Sequence, residues 1–264
     1  MDDAHIYCRP DQVQEEITGV LALVREFYQL FNLEPSYKIG TRPAEYLGTL
    51  EQWDAAERGL HEALRANGLA YDEKPGDGAF YGPKIDIHIE DALGRDWQIA
   101  TAQLDLTMLP ERFDLTYIDT DGQAKRPVAI HRAIFGSFER FIGILTEHFA
   151  GAFPTWLAPV QARVLPVSEK FAEYGRTVHA RLRAAHIRAE LDDRNEKLGY
   201  KIREAQLRKI PYMLVVGGRE AEQGAVSLRR RTGEDLGAVP LDRVVADLAS
   251  EIAQRSPDLT VGRA

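Results

Sequence analysis

Gly78-Ala79-Phe80-Tyr81-Gly82-Pro83-Lys84-Ile85-Asp86-Ile87-His88-Ile89 is the stretch that decides the fold of the front half of this chain. Its first part is a glycine-rich loop, which can cover a ligand or simply connect two elements. Its second part alternates, with isoleucines on one face and polar residues on the other, as in a half-buried strand. The Asp91–Gly94 segment reads as a turn, and residues 96–106 as the returning strand. We therefore predict a β-hairpin at the centre of this half.

Further strands and helices are predicted on both sides of this hairpin. Strand patterns cover residues 4–8, 37–42 and 125–134, and helical spacing of apolar residues covers 13–31, 53–64 and 138–149. Hairpin-linked strands with peripheral helices predict an antiparallel α+β domain, which we place at residues 1–155.

The back half has a different order of predicted strands and helices. The segment 150–159 carries two prolines, and after it strands and helices alternate. This alternation predicts a small α/β domain with a largely parallel sheet over residues 156–264.

Composition excludes several classes of protein. The 264 residues are 44% apolar and 28% charged, which excludes a disordered chain, and one cysteine, Cys8, cannot form an intramolecular disulfide. The single cysteine fits a cytoplasmic protein best, and because no run approaches about 18 apolar residues we expect no transmembrane helix and no membrane contact. The net charge is −8, yet the part from Pro159 onward holds 19 basic and 15 acidic residues. Any nucleic acid is therefore expected at the back half.

Two groups in the front half could carry chemistry. His5 and His131 lie on separate predicted strands that can share a face, and imidazoles suit Zn²⁺, although both can equally be structural histidines. Arg140 lies in the first turns of a helix that follows Gly136-Ser137, where free N–H groups favour an anion. The alternative is a surface arginine paired with a neighbour.

Gln98 and Thr101 set a geometric condition. Their positions in the sequence differ by three, an odd number, so a regular strand would point their side chains to opposite faces. If both meet one ligand, a β-bulge must lie between them.

The back half offers a candidate basic surface. One predicted helix carries Lys197, Lys201 and Arg208 on a single stripe, and Arg229-Arg230-Arg231 lies on a strand. Such a surface could bind an RNA backbone, or it could be a solvated face.

These motifs occur together in a recognisable order. The matching segments are Asp2-Asp3-Ala4-His5-Ile6, Gly78 to Ile85, Trp97-Gln98, Gln103-Leu104-Asp105, Ile130-His131-Arg132-Ala133, Gly136-Ser137, Glu139 to Gly143, Phe153 to Pro159, Arg194-Asn195-Glu196-Lys197 and Ile210 to Val215. Over nearly its whole length the chain resembles the C-terminal portion of bacterial threonyl-tRNA synthetases. The resemblance implies an α+β antiparallel-sheet class II synthetase catalytic domain, truncated at its N-terminus, followed by a small α/β anticodon-binding domain.

The resemblance also implies an activity, threonine–tRNA ligation, with threonine, ATP and tRNA(Thr) as partners and Mg²⁺ and Zn²⁺ as cofactors. It implies that His5 and His131 are two of three zinc ligands. It assigns threonine contacts to Asp3, Tyr81 and Gln103. It assigns catalytic roles to Lys84 and Arg140, and ATP contacts to Gln98, Thr101, Ser137 and Arg140. It assigns tRNA contacts to Asn195, Arg203, Glu220 and Arg229.

Some parts of the family pattern have no counterpart in this sequence. The cysteine zinc ligand, the motif 2 arginine that holds the α-phosphate, and motif 1, through which the family forms homodimers, would all precede Met1. We therefore expect a C-terminal fragment that is inactive by itself. The alternatives are a non-catalytic tRNA- or RNA-binding protein and a regulatory paralogue that keeps the anticodon-binding domain.

Overall fold

The computed structural model describes residues 1–262, which form two compact units. The first unit spans Met1–His148 and the second begins at Phe149. The exact domain boundary, predicted after residue 155, stays a prediction.

A six-stranded sheet forms the centre of the first unit, with the strand order β1-β8-β5-β4-β2-β3. Its pairings are antiparallel except for β2 with β3, which is parallel. A separate two-stranded ribbon is formed by β6 and β7. The strands of the unit are β1 (Ala4–Cys8), β2 (Ser36–Gly40), β3 (Tyr71–Lys74), β4 (Lys84–Glu90), β5 (Asp96–Asp105), β6 (Tyr117–Ile118), β7 (Ala124–Lys125) and β8 (Val128–Ala133).

Helices pack on the apolar face of this sheet. The helices of the unit are α1 (Val13–Leu30), α2 (Leu50–Ala66), α3 (Met108–Arg112) and α4 (Phe138–His148). Thr49 starts α2, because its hydroxyl accepts from the backbone N–H of Gln52 while the Gln52 side chain accepts from the Thr49 N–H. Both α1 and α2 bury an apolar stripe, and this arrangement leaves the polar face of the sheet free for a site.

One register row crosses five strands of the sheet. Gly40 on β2 pairs with Lys84 on β4, and Lys84 pairs with Gln103 on β5. Gln103 in turn pairs with His131 on β8, and His131 pairs with His5 on β1. Residues directly opposite each other project from the same face of a sheet. The row therefore places the four side chains level with one another on the polar face.

The second unit contains a five-stranded sheet in the order β10-β9-β11-β12-β13. Its strands are β9 (Ala162–Pro166), β10 (Ala189–Leu191), β11 (Tyr212–Val216), β12 (Ala225–Arg230) and β13 (Asp235–Pro240), and its helices are α5 (Ala172–Ala184), α6 (Leu198–Leu207), α7 (Gly218–Gln223) and α8 (Leu241–Ala253). The prediction of a largely parallel sheet was wrong, because β11–β12 and β12–β13 pair antiparallel. The short segment around α7 is too brief for the crossover that a parallel pair needs.

Both faces of this second sheet are covered by helices. Val164, Leu214 and Val226 are fully buried on one face together with residues of α5 and α8. On the other face, Leu165 and Met213 pack with residues of α6. Within residues 1–262, every helix is too short or too polar to traverse a lipid bilayer.

Candidate functional site

His5 and His131 lie side by side at one end of the register row. Their ring centroids are 4.5 Å apart in an edge-to-face arrangement, which confirms that the two strands bring them to one face. The Nε2 atom of His131 lies 3.1 Å from Oδ2 of Asp105. Asp105 is fully buried and accepts backbone N–H bonds from the first turn of α3. A carboxylate so fixed orients the His131 ring.

The two imidazoles are incomplete as a zinc site. Catalytic zinc takes three protein ligands, and residues 1–262 contain no group of three or more His, Cys, Asp or Glu side chains placed to hold a metal. Cys8 is no third ligand, because it is buried and lies three positions from His5 on β1, which places it on the opposite face of the sheet.

Gln103, the next residue along the row, is hydrogen-bonded to Tyr81 of the loop that precedes β4. The Tyr81 hydroxyl donates to Oε1 of Gln103 at 2.7 Å, and the Tyr81 ring centroid lies 5.5 Å from that of His131. Burial raises the pKa of Tyr81, and the nearby carboxylates of Asp105 and Asp3 add to this shift. Tyr81 reaches this place because its loop touches β5 at Gly82, where a Cβ atom would lie 1.9 Å from the carbonyl oxygen of Leu104.

A buried carboxylate, Asp86, lies at the next level of the sheet. Gln98 Nε2 donates to its Oδ1 at 2.7 Å, and the Thr101 hydroxyl donates to the same oxygen at 3.0 Å. The register of β4 and β5 shifts here: Ile87 pairs with Ala100, but His88 pairs with Gln98, so the residue between them is extra. The predicted bulge between Gln98 and Thr101 is therefore confirmed.

Lys84 also contacts this carboxylate. Its Nζ lies 2.7 Å from Oδ2 of Asp86 and 3.3 Å from the Asp77 carboxylate. Burial acts to lower the pKa of Lys84, but the hydrogen bonds and charges of the two aspartates raise it above its ordinary value. Lys84 therefore remains a cation at neutral pH.

The four residues predicted to contact ATP line a single cavity. The cavity has a volume of about 290 Å³ and is lined by Met1, Gln98, Ile99, Ala100, Thr101, Ala133, Gly136, Ser137 and Arg140. Arg140 is exposed; its guanidinium lies 5.3 Å from the ring centroid of Trp97 and donates to the Gln98 carbonyl at 3.3 Å. A planar cation held at a cavity rim suits a phosphate or a stacked base.

Two larger cavities of the first unit, each of about 540 Å³, lie away from these residues. One is lined by the end of β1 and by the segment 115–120, which contains β6; the other is lined mainly by residues of α1 and α2, with Val128 of β8. Neither is lined by a residue that was predicted to contact a substrate or a metal. We take the cavity of about 290 Å³ as the candidate site because several polar side chains line it, and a large volume does not by itself provide binding or catalytic groups.

Asp2, which was not predicted from the sequence, holds in place the turn beside this cavity. The Asp2 carboxylate accepts hydrogen bonds from the backbone N–H groups of Ile134, Phe135 and Gly136, at 2.9 to 3.2 Å. This clamp fixes the turn that leads into α4 and Arg140. The sequence signal for this clamp is a single acidic residue, which is too common a pattern to predict it.

The four predicted tRNA contacts are distributed over two parts of the second unit. Asn195 and Arg203 are exposed, before and on α6. Arg229 pairs with Asp235, and Glu220 accepts from the Gly217 N–H at 3.0 Å. Glu220 also lines a cavity of about 530 Å³. The hydrogen bonds of Glu220 and Arg229 are thus made within their own region and do not join them to Asn195 or Arg203.

The predicted basic stripe on α6 was wrong in part. Lys201 is only 2% exposed, and its Nζ donates to the carbonyls of Pro166 and Asp192 at 3.2 and 3.0 Å. Arg208 forms a bidentate pair with Glu190. The helix turns Lys201 inward because two backbone carbonyls of neighbouring segments need a donor there.

Comparison with known families gives two matches. Residues 1–149 match the tRNA synthetase class II core domain (G, H, P, S and T), and residues 161–251 match the anticodon binding domain.

Curated relatives agree with these matches. The threonine–tRNA ligase of Caldanaerobacter subterraneus subsp. tengcongensis is 58% identical over 255 residues, which is 97% of this chain and 39% of that protein. The threonine–tRNA ligase of Carboxydothermus hydrogenoformans is 55% identical over 96% of this chain and 40% of that protein. The chain thus spans about two fifths of the length of the curated relatives it matches.

Solved structures show the same relationship. The RNA binding domain of threonyl-tRNA synthetase from Cryptosporidium parvum Iowa II has a TM-score of 0.87 and 43% identity, over 95% of this chain and 63% of that one. A putative threonyl-tRNA synthetase from Aeropyrum pernix has a TM-score of 0.76 and 25% identity, over 98% of this chain and 64% of that one. The resemblance and the fold class predicted from the sequence are confirmed.

Proposed function

Because this chain belongs to the class II tRNA synthetases, we propose that it carries the ATP site and the anticodon-binding unit of a threonine–tRNA ligase. The observation that carries the proposal is the cavity around which Gln98, Thr101, Ser137 and Arg140 converge, next to the row of Gln103 and the two histidines. Mg²⁺ would enter with ATP as its counterion.

We use the word pocket for the cavity together with the neighbouring row of side chains, and its two sides would bind different substrates. We assign the phosphates and base of ATP to the side of Arg140, whose exposed guanidinium is held over Trp97. We assign threonine to the side of Asp3, Tyr81 and Gln103, where carboxylate and phenol groups suit an amine and a hydroxyl. His5 and His131 would supply two ligands of a zinc site, and residues 1–262 hold no group of three or more His, Cys, Asp or Glu side chains that would complete it.

The proposed reaction has two displacements. A carboxylate oxygen of threonine bonds to the α-phosphorus of ATP, and the bond to the bridging oxygen of the β-phosphate breaks, so that pyrophosphate leaves with that electron pair. The terminal ribose hydroxyl of tRNA(Thr) then bonds to the threonyl carbonyl carbon, the bond from that carbon to the phosphate oxygen breaks, and AMP leaves with that electron pair while the hydroxyl proton passes to a phosphate oxygen or to water. In both steps the chain's own contribution is to orient the reactants and to place cations, Arg140 and Lys84, near the developing charge.

The second unit would recognise the tRNA. We propose that Asn195, Arg203, Glu220 and Arg229 contact the anticodon, with the arginines also facing phosphates. This unit has a core of its own on both faces of its sheet. That independence favours one second candidate function, RNA binding without ligation.

Two measurements test the proposal. ATP binding is measured by calorimetry for the wild type, Arg140→Ala and Arg95→Ala. Arg95 is the matched control, since its guanidinium also lies over Trp97, at 5.7 Å, but does not line the cavity. We expect Arg140→Ala to weaken ATP binding by about 10- to 100-fold, as for loss of a charged contact, and Arg95→Ala to leave it unchanged.

Threonine-dependent pyrophosphate exchange and salt-dependent tRNA binding separate the two functions. Exchange that is lost in Arg140→Ala supports ligation. Salt-sensitive tRNA binding that is weakened in Arg229→Ala, together with ATP binding that Arg140→Ala leaves unchanged, supports the binding protein instead. Equal ATP binding by the wild type and Arg140→Ala would remove the basis of the ATP site.

A further inference from the structure

We propose that Asp86 is a positioning residue that fixes the hydrogen-bond polarity of the nucleotide pocket, so that the pocket accepts hydrogen bonds from hydroxyl or amino groups of its ligand. The inference rests on the proposed function for the identity of that ligand. It concerns a residue that does not itself line the cavity.

Three side chains converge on Asp86, and two of them, Gln98 and Thr101, line the cavity. Its Oδ1 receives both Gln98 and Thr101, and its Oδ2 receives the Lys84 ammonium. Asp86 is 3% exposed, so water is not available to replace these partners. Both carboxylate oxygens of Asp86 therefore have protein donors.

The polarity of Gln98 follows from the chemistry of its partner. A carboxylate accepts hydrogen bonds and has none to donate. Gln98 must therefore turn its NH₂ group to Asp86, at 2.7 Å, and this leaves its Oε1 as the free end of the side chain. Since Gln98 lines the cavity, its Oε1 can accept a hydrogen bond from a ligand there.

The hydrogen bonds of the Thr101 hydroxyl have the same polarity. Its hydroxyl has one proton, and the two partners within reach, Asp86 Oδ1 at 3.0 Å and the Ile85 carbonyl at 3.3 Å, are both acceptors. Whichever of them takes the proton, only the oxygen lone pairs remain for the cavity.

The backbone holds this arrangement in place. The bulge in β5 is what brings Gln98 and Thr101 to one carboxylate. Gly136 packs directly behind the bulge, where a Cβ atom would lie 2.4 Å from the Ile99 carbonyl oxygen. The acceptors are thus organised before any ligand arrives, which lowers the entropic cost of binding.

The consequence for the ligand is specific. A nucleotide carries hydrogen-bond donors at its ribose hydroxyls and, in adenine, at the exocyclic amino group. One of these donors should meet Gln98 and Thr101, and a nucleotide without it should bind about tenfold more weakly, as expected when a hydrogen bond to a prepared acceptor is lost.

A polarity swap tests the hydrogen bonds without any nucleotide. Urea unfolding is measured for Asp86→Asn, Gln98→Glu and the double variant. Gln98→Glu places two carboxylates at hydrogen-bond distance and should lower the unfolding midpoint. The double variant restores a donor opposite an acceptor and should be more stable than the sum of the single changes predicts. Strict additivity overturns the inference.

Should Asp86→Asn fail to fold, Gln98→Met replaces it in this arm. Gln98→Met removes the donation without adding charge, so Gln98→Glu should be the less stable of the two. Equal stability of these variants overturns the inference as well.

The ligand arm uses ATP, 2′-deoxy-ATP, 3′-deoxy-ATP and purine riboside triphosphate, which lacks the amino group. The wild type should discriminate about tenfold against at least one analogue, and Asp86→Asn should lose most of that discrimination, because the Gln98 amide is then free to turn round. Asp96→Asn is the matched control: it is a carboxylate on β5 that contacts Lys38 and His88 but not Gln98. Unchanged discrimination in Asp86→Asn overturns the inference. A wild type that binds no ATP refutes the proposed function instead, and the polarity swap still decides the role of Asp86.

Discussion

Replacing Gly136 by alanine should destabilise the first unit and disturb the cavity proposed to bind the nucleotide. Gly136 has φ +60°, in the left-handed region, and its missing Cβ would lie 2.4 Å from the carbonyl oxygen of Ile99. The left-handed backbone costs alanine about 1–2 kcal/mol, and relief of the overlap about 1–3 kcal/mol more. We therefore expect a loss of about 2–5 kcal/mol in the free energy of unfolding.

Urea unfolding followed by tryptophan fluorescence measures this loss, and Gly143→Ala is the control. Gly143 lies in the exposed part of α4 with nothing within 4 Å of its would-be Cβ. There the same substitution should stabilise the helix by about 0.5–1 kcal/mol. The two variants should thus move the urea midpoint in opposite directions. A Gly136→Ala protein as stable as the wild type would refute the close packing of this turn against the bulge.

Three further predictions follow from buried groups. Burial raises the pKa of the Cys8 thiol to about 11, so at pH 8 labelling by a thiol reagent should be slow in the native state and fast in urea; fast native labelling would contradict this. Lys201→Met should cost about 1–3 kcal/mol by leaving two buried carbonyls unpaired, while the salt dependence of RNA binding stays unchanged; a lower salt slope would instead show Lys201 on the RNA. Hydrogen bonds from Arg194 hold the pKa of the buried Asp192 carboxyl below its ordinary value, so its contribution to stability is present above about pH 4 and is lost as the pH falls through the folded pKa. Asp192→Asn should flatten this acid dependence of the urea midpoint, and the same change at the exposed Asp193 should not; equal curves for both variants would contradict the assignment.

Local periodicity was sufficient to predict much of the first sheet. The alternation of residues 84–90 predicted β4, and counting along β5 predicted that a bulge was required between Gln98 and Thr101. Both predictions depend only on the twofold repeat of a strand. The partnership of His5 with His131 was also open to prediction, since both lie on strands.

Other features depend on contacts between distant segments, which periodicity does not encode. Tyr71–Lys74 is a polar edge strand without alternation, so β3 was not predicted. Asp2 acts through three backbone N–H groups more than 130 positions away. Lys201 looked like a surface cation because helical spacing says which side chains share a stripe but not which stripe meets the sheet.

The level row from His5 to Lys84 takes one side chain from each of four neighbouring strands. Inserting or deleting a single residue in any of these strands would turn its member of the row toward the helices, since side chains alternate along a strand. The row also joins positions far apart in the chain, and pairing of such distant segments slows folding. The proposed threonine side of the pocket therefore depends on the pairing of all four strands, and a protein in which one of them is unpaired would lack it.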